Sequence, residues 1–346
     1  MLMIRKVNVA VIGLGTVGSG VVKILNEKKE KILERFGFEL KISECADLNR
    51  DRYSQLVSEG YDCGSYYEDA FELLEKTGAE IVVELIGGYE PARSIMLKAL
   101  GMGKSVVTAN KEVVSRAGYE LFEAAEKSGV DFYFEASVGG GIPIIRPLKE
   151  MLAANNFRYI AGIVNGTTNF ILTRMSSEGL TFEESLKTAQ ELGYAEPNPQ
   201  ADIEGDDAQS KIAILASIAF NSRVSKEQVY KEGITTVTRR DIAYADELGY
   251  RIKLIAFSKS HNDGIFAFVR PALVPKNHPL ALVDNVYNAI FVSGDSCGDL
   301  MFYGEGAGSL AAGSSVVGDI IASAQALVSG RRGFTGCGCF RDIEVL

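Results

Sequence analysis

The chain has 346 residues, 47% of them hydrophobic, and a net charge of -9. That is more than one typical core needs and points to two domains, while the acidic balance, with no basic run longer than Lys28-Lys29 or Arg239-Arg240, argues against nucleic acid or an anionic membrane as partner. Small-molecule partners fit better, and the opening Met-Leu-Met-Ile-Arg-Lys lacks the apolar stretch of a signal peptide. No apolar run is expected to approach the roughly 20 residues of a membrane span. Cys45, Cys63, Cys297, Cys337 and Cys339 form no Cys-x-x-Cys and have no neighbouring histidine, so reduced thiols, no zinc and a cytoplasmic location are expected. Cys337-Gly-Cys339 reads as two thiols of a glycine-rich tail, with no functional role assigned.

The first apolar run, Val7-Asn-Val-Ala-Val-Ile12, leads into Gly13-Leu-Gly15-Thr-Val-Gly18 and then into Val21, Val22, Ile24 and Leu25 at helical spacing. This is the strand, glycine turn and helix of a dinucleotide fold. Gly13 permits the tight turn, Gly15 lets backbone approach the pyrophosphate, and Gly18 lets helix and strand pack closely. Thr16 and Val17 open the helix whose N-terminus takes the phosphates. An ordinary glycine turn can share this spacing; the strand before it and the helix after it favour cofactor binding. The charged stretch 27–35 is expected to lengthen the first helix. Asp47 then ends the second strand, 39–47, where a ribose-binding acid belongs, yet Arg50 and Arg52 follow within reach of a 2′-phosphate. NAD and NADP both remain open, NADP slightly favoured.

Strand-like runs at 81–86, followed by Gly87-Gly88, at 105–110 and at 131–137 alternate with helical patterns such as 112–127. Such alternation means a parallel sheet covered by helices. Ligands bind beyond the carboxyl ends of its strands, so Gly87-Gly88 and Thr108-Ala-Asn-Lys111 are expected to face the cofactor. From Gly139-Gly-Gly-Ile-Pro143 onward longer helices and isolated strands take over, at 159–164 and 265–269, with 288–292 either an interface strand or an internal one. The fold expected is α/β: a Rossmann-type doubly wound parallel sheet over 1–137, completed by about 305–346, with a second α+β domain over 138–304 for substrate, catalysis and dimerisation.

Within that second domain Thr181-Phe-Glu-Glu184 is a capping box and Gly193 a C-cap, bounding a helix that delivers the acidic loop 193–211. Five carboxylates and Lys211 crowd this Pro-broken loop. Asp207 and Lys211 lie four apart where an apolar helix begins (Ile212, Ala213, Leu215, Ala216, Ala219), so both project from one face and the acid can hold the lysine charged and oriented. A surface ion pair is the common fate of this spacing. A dinucleotide site elsewhere in the chain is what makes chemistry the better reading. Gly304-Glu-Gly306-Ala-Gly308 then precedes a small-residue helix, 314–328, expected to return and cover the first sheet.

Four separated motifs, in order, make the chain resemble homoserine dehydrogenase along nearly its whole length. Beyond the glycine fingerprint, Thr108-Ala-Asn-Lys111, Glu135-Ala-Ser-Val-Gly-Gly-Gly-Ile-Pro143, Gly162-Ile-Val-Asn-Gly-Thr-Thr-Asn169 and the loop from Gly193 to Lys211 match the family pattern. The resemblance implies reversible NAD(P)-dependent interconversion of L-homoserine and L-aspartate 4-semialdehyde, on the way to threonine and methionine. Hydride arriving at an aldehyde carbon leaves negative charge on its oxygen, so a fixed cationic acid there lowers the barrier. Lys211 is the candidate donor. With an ordinary lysine pKa of about 10.4 it is protonated for reduction and must be neutral for oxidation, so the oxidative direction should favour alkaline pH.

The resemblance further implies that Lys111 orients or polarises the carbonyl and that Glu196, Asp207 and Asp202 receive the substrate's ammonium, with Thr167 and Tyr194 completing the pocket. It adds Gly193 and Gly306 as cofactor contacts, and a sodium ion held largely by backbone carbonyls at Glu135, Val138, Gly140 and Ile142; a glycine-rich hinge without an ion reads equally from the residues. A homodimer is the family's usual state. Position 305 is glutamate where the family more often has proline, and the regulatory domain carried by many relatives is not expected here. Two rivals remain. Another two-domain NAD(P) dehydrogenase would lack explanation for the absence of a Tyr-x-x-x-Lys pair and for histidines placed in polar turns (His261, His278). A non-catalytic NAD(P)-sensing protein would need the glycine loop but not the lysines with their carboxylates.

Overall fold

A computed structural model describes residues 4–261, 264–331 and 345. They divide into two compact units: 4–141 with 308–331, and 142–307 with 345. Cys337 and Cys339 lie outside the described residues.

The first unit is built on six parallel strands, β1 (Arg5–Ile12), β2 (Phe38–Ala46), β3 (Ser65–Tyr67), β4 (Ile81–Glu84), β5 (Ser105–Thr108) and β6 (Phe132–Tyr133), in the order β3-β2-β1-β4-β5-β6. The order reverses between β1 and β4, which is the switch point of a doubly wound sheet and the place such folds bind dinucleotides. Strands β4 and β5 are buried at every residue, as central parallel strands with both faces covered must be. The first helix does not run on through the charged stretch. The chain leaves helical geometry at Lys28 (φ -105, ψ 10), so Thr16–Glu27 and Lys29–Phe36 are separate helices. Only two residues of the strand expected at 131–137 pair with β5; the chain then tightens into a 3₁₀ turn, Glu135–Ser137, where the Ser137 hydroxyl donates to Phe134 O at 2.6 Å.

The closing helix, Ser309–Ser329, corrects one expectation, for it is long and apolar enough by length and composition to cross a membrane. Its packing explains that composition. It lies against helix Thr16–Glu27 through glycines, since a Cβ on Gly20 would sit 2.2 Å from Ser309 O and one on Gly313 3.1 Å from the Gly20 carbonyl carbon. Its Asp319, 1% exposed, accepts the Glu135 N–H at 2.8 Å. Small and apolar residues let this helix pack close as part of the first unit's core.

The second unit has a mixed six-stranded sheet, β7 (Phe157–Ile163), β8 (Tyr230–Lys231), β9 (Tyr250–His261), β10 (Gly264–Pro275), β11 (Tyr287–Gly294) and β12 (Asp299–Glu305), in the order β12-β11-β7-β9-β10-β8. The run at 265–269 is therefore no isolated strand: β9 and β10 form a 12-residue antiparallel ladder, and His261 ends β9 opposite Gly264 rather than lying in a turn. Residues 288–292 are internal, buried in β11 between β7 and β12. His278 caps a short 3₁₀ helix, its Nδ1 accepting from Leu280 N at 3.2 Å.

Lys253 of β9 is a buried cation that periodicity does not reveal. Its side chain, 2% exposed, donates to Val283 O at 2.5 Å, Asp284 Oδ1 at 3.0 Å and Asn169 Oδ1 at 3.1 Å. Burial holds its ammonium below the usual range, and Asp284 offsets part of that. Lys253→Met should cost about 2–4 kcal/mol, because it leaves a buried acceptor and a carboxylate short of a donor. The depressed value means the unfolded chain binds more protons, so the lysine's contribution to stability rises with pH through the window from its folded pKa up to the ordinary 10.5. Urea midpoints taken across that window should show the deficit of the variant growing; a variant as stable as wild type throughout would show the knot to be neutral.

Candidate active site

In the first unit the glycine turn is closed by backbone and by Asp47. Gly13 N donates to Ala46 O at 2.7 Å with φ +96, and Leu14 N donates to Asp47 Oδ2 at 2.7 Å. A Cβ on Gly18 would lie 1.9 Å from Gly13 O, whereas one on Gly15 would meet only Arg52 Nη1, at 3.9 Å. Gly18 thus seats the helix on the turn, and Gly15 faces open space. That space is a cavity of about 310 Å³ lined by Leu14, Gly15, Thr16, Ser19 and Lys23 on one side and by Arg52, Gln55, Leu56 and Glu59 on the other. Val17, half-buried, follows Thr16 in the first turn. A cradle that a side chain would fill, at a helix N-terminus, fits a dinucleotide pyrophosphate.

Asp47 is 7% exposed, and besides the turn its Oδ1 accepts from Asn49 N at 2.8 Å. Of the two arginines, Arg52 is the one the fold delivers here, its Nη1 3.2 Å from Asp47 Oδ2. Arg50 lies instead over the Tyr66 ring, 5.4 Å from its centroid; the Tyr66 hydroxyl donates to Asp47 O at 2.7 Å.

At the carboxyl ends of β4 and β5 sits a group the sequence reading passed over. Glu84 is fully buried; its Oε1 accepts from Ile86 N at 2.9 Å and its Oε2 from the Thr108 hydroxyl at 2.7 Å. Burial pushes its carboxyl above the usual range, against hydrogen bonds from Thr108, Ile86, Gly87 and Asn110 that favour the charged form. Thr108 Oγ1 accepts from Asn110 N at 2.9 Å, and the Asn110 side chain donates to Gly88 O at 2.7 Å and caps the helix Lys111–Ser128 by accepting from Val113 N at 3.1 Å. Glu84, Thr108 and Asn110 thereby fix the Gly87-Gly88 loop and the helix start where Lys111 stands. An acid inside an apolar run was the one signal of it.

The second unit holds the acidic cluster. Lys211, 8% exposed, projects from helix Asp206–Ala219 and donates to Val164 O at 2.6 Å and Asp207 Oδ2 at 2.7 Å. This is a buried pair and not the surface one its spacing commonly gives. Asn165, also missed, links it to Asp202: its Nδ2 donates to Asp207 Oδ2 at 2.9 Å and to Asp202 Oδ1 at 2.7 Å. Thr167 and Tyr194 meet each other, the threonine hydroxyl donating to Tyr194 O at 2.8 Å. Glu196 is exposed, and its carboxylate hydrogen-bonds to none of these groups among the described residues. Gly193 takes φ +76 beyond helix Phe182–Glu191. Gly306 packs on Asn288, which is 1% exposed and leaves both amide atoms without a hydrogen-bond partner among the described residues.

The backbone segment named for a cation is held by protein contacts: Glu135 O accepts from Val138 N at 3.4 Å and Gly140 O from the Ser315 hydroxyl at 2.6 Å. Two of the four candidate carbonyls are already engaged, and no cluster of metal-binding side chains occurs among the described residues.

A doubly wound sheet with a pyrophosphate cradle, accompanied by a lysine buried among carboxylates, defines a nicotinamide-dependent oxidoreductase. Comparison with known proteins specifies which. The family model described as "Homoserine dehydrogenase, NAD binding domain" matches residues 13–135 and that described as "Homoserine dehydrogenase" matches 143–321. A homoserine dehydrogenase of Neisseria gonorrhoeae is 45% identical over 317 residues, covering 92% of this chain and 72% of that protein. The crystal structure of a homoserine dehydrogenase from Thiobacillus denitrificans superposes with a TM-score of 0.94 at 41% identity, covering 99% of this chain and 80% of the other. A hyperthermophilic archaeal homoserine dehydrogenase mutant in complex with NADPH does so with 0.78 at 30% identity, covering 92% and 98%. The chain belongs to the homoserine dehydrogenase family, oxidoreductases acting on the substrate's hydroxyl with NAD(P).

Proposed function

We propose that Lys211 is the proton donor when L-aspartate 4-semialdehyde is reduced to L-homoserine, and the acceptor in reverse. The observation that carries this is the buried Lys211 held between Val164 O and Asp207 Oδ2, with Asp202 tied to the same carboxylate through Asn165. The bound nicotinamide cofactor supplies or takes the hydride. As charge develops on the substrate oxygen, the Lys211 ammonium passes a proton to it, and in oxidation the neutral amine takes the hydroxyl proton while the carbonyl forms. Val164 O and Asp207 fix where Nζ points. Lys111, set by the Glu84–Thr108–Asn110 chain, polarises the carbonyl. Asp202, Asp207 and the exposed Glu196 receive the substrate's ammonium, and Thr167 with Tyr194 closes that end.

The cofactor cradle comprises Gly13, Gly15, Thr16, Val17 and Gly18, with Thr108, Gly193 and Gly306 as further contacts. Arg50 and Arg52 are the cations we assign to a 2′-phosphate; the contact of Arg52 with Asp47 favours it as the first of the two, and an NADPH complex of a relative is in keeping with NADP use. A sodium ion at the carbonyls of Glu135, Val138, Gly140 and Ile142 would have a structural role, and the one hydrogen bond accepted by Glu135 O and by Gly140 O leaves each a second lone pair for it. Homodimerisation would employ the second unit's sheet, where Phe266, Leu273, Met301 and Tyr303 stand exposed. Free Cys45 and Cys63 suit a reducing cytoplasm, and the product would feed threonine and methionine formation.

The test is initial rates with L-homoserine at alkaline pH, NADP against NAD, beside L-serine, L-threonine and L-malate. Turnover of homoserine alone, faster with NADP, is the expected result. Cofactor binding without turnover of any of the four, in either direction, would leave a sensing role as the better reading.

A further inference from the structure

Asn165 stands immediately before helix Gly166–Glu178, and all four hydrogen-bonding positions of its side-chain amide are used. Its Oδ1 accepts from Thr168 N at 2.9 Å and from the Thr168 hydroxyl at 2.8 Å, which is its work as the helix N-cap. Its Nδ2 spends one proton on Asp202 Oδ1 and the other on Asp207 Oδ2. The two ends fix each other. Turning the amide over would aim NH₂ at the Thr168 N–H and oxygen at two carboxylates, so the cap forces the N–H groups toward the acids.

Two carboxylates converging in a partly buried place repel each other unless a donor lies between them. Lys211 already meets Asp207 there, so a second lysine or arginine between the acids would neutralise the negative charge that is left and compete with a substrate ammonium for the same oxygens. An amide does neither, since it bridges the pair and leaves the cluster of two carboxylates and one lysine net negative. Asp207 Oδ2 is also the oxygen that Lys211 donates to, so one amide sets both the spacing of the carboxylates and the position of the lysine.

We infer that Asn165 is a positioning residue, which holds Asp202 and Asp207 as a convergent anionic seat for the substrate's ammonium and, through Asp207, holds Lys211 in line with the substrate oxygen. The inference rests on the function proposed above. It separates helix capping from carboxylate bridging, and substitutions can do the same. Asn165→Ser and Asn165→Asp both keep a capping oxygen but lose the two N–H donors, whereas Asn165→Ala loses both.

The experiment is steady-state kinetics of homoserine oxidation, with homoserine and NADP varied in turn, and thermal unfolding of the same samples. Asn165→Ser should melt close to wild type, lower kcat about 10- to 100-fold and raise the homoserine KM several-fold, with KM for NADP unchanged. Asn165→Asp should fall further, because it sets a third carboxylate between the two. Asn165→Gln, whose longer amide cannot cap and bridge together, should not rescue. Wild-type kcat and homoserine KM in Asn165→Ser would overturn the inference, as would losses in the three variants that simply follow their melting temperatures. A wild-type enzyme inactive on homoserine would instead remove the underlying function, and that control is read before any variant.

Discussion

Lys211→Met should lower kcat for homoserine oxidation by about 10³-fold, within the range that positioned acid–base groups contribute, while leaving KM for NADP near wild type. Methionine fills a similar volume, so the helix Asp206–Ala219 keeps its packing, with a loss of about 2–4 kcal/mol of stability, as at Lys253, from Val164 O and Asp207 left short of a donor, and nothing remains to take the hydroxyl proton. Lys211→Arg discriminates further. A guanidinium preserves the positive charge beside Asp207, yet it does not give up a proton at any pH an enzyme survives. If the lysine served only as a fixed charge, arginine would restore much of the rate. If it moves a proton, both variants fail alike in oxidation, and stopped-flow binding of NADPH stays normal in each. Arginine within a few-fold of wild type would rule out the proton-transfer role.

The sequence made this lysine legible because two constraints coincide on it: helical spacing to Asp207, and a proline-broken loop with more acids than a surface turn needs. The dinucleotide cradle was legible for a related reason, as its glycines answer to backbone sterics that few other arrangements demand. What escaped was set by contacts distant in sequence. Asn165 looks like a helix cap, and is one; its other role depends on Asp202 and Asp207, 37 and 42 residues away. Glu84 sits in an apolar run, and Thr108 of the neighbouring strand is its partner distant in sequence beside the local N–H of Ile86. Arg52 and Arg50 are equivalent by composition, and what separates them, Asp47 beside one and the ring of Tyr66 on β3 under the other, lies outside their own segment. Lys253 follows the same rule, its partners lying in the loop before β11 and in helix Gly166–Glu178. The second unit's sheet was underestimated because alternation over 12 residues on β9 and β10 is interrupted by Arg251, Lys253, Lys259 and Arg270, which local pattern reads as loop.

Gly18→Ala and Gly15→Ala should part company, although both remove a glycine from one cofactor loop. At Gly18 a methyl group would sit 1.9 Å from Gly13 O and 2.9 Å from its carbonyl carbon, and neither atom can yield without moving β1 or the turn. Helix Thr16–Glu27 must shift outward, which strains its other contact, that of Gly20 with Ser309. The expected cost is about 2–3 kcal/mol of stability, as for overpacking elsewhere, together with a loss of NADPH affinity of about 100-fold or more as the helix N-terminus leaves the phosphates. At Gly15 the methyl meets no atom of the protein closer than Arg52 Nη1 at 3.9 Å, and the backbone already has φ -65, which any residue adopts. That variant should therefore melt like wild type and still bind NADPH about 10-fold more weakly or worse, since the methyl enters the space where the pyrophosphate approaches the backbone. Calorimetric melting and fluorescence titration of NADPH on both proteins separate the two effects. An unimpaired affinity in Gly15→Ala would mean that the cavity lined by Gly15, Thr16 and Arg52 is not where the phosphates lie, whatever Gly18→Ala does to the fold.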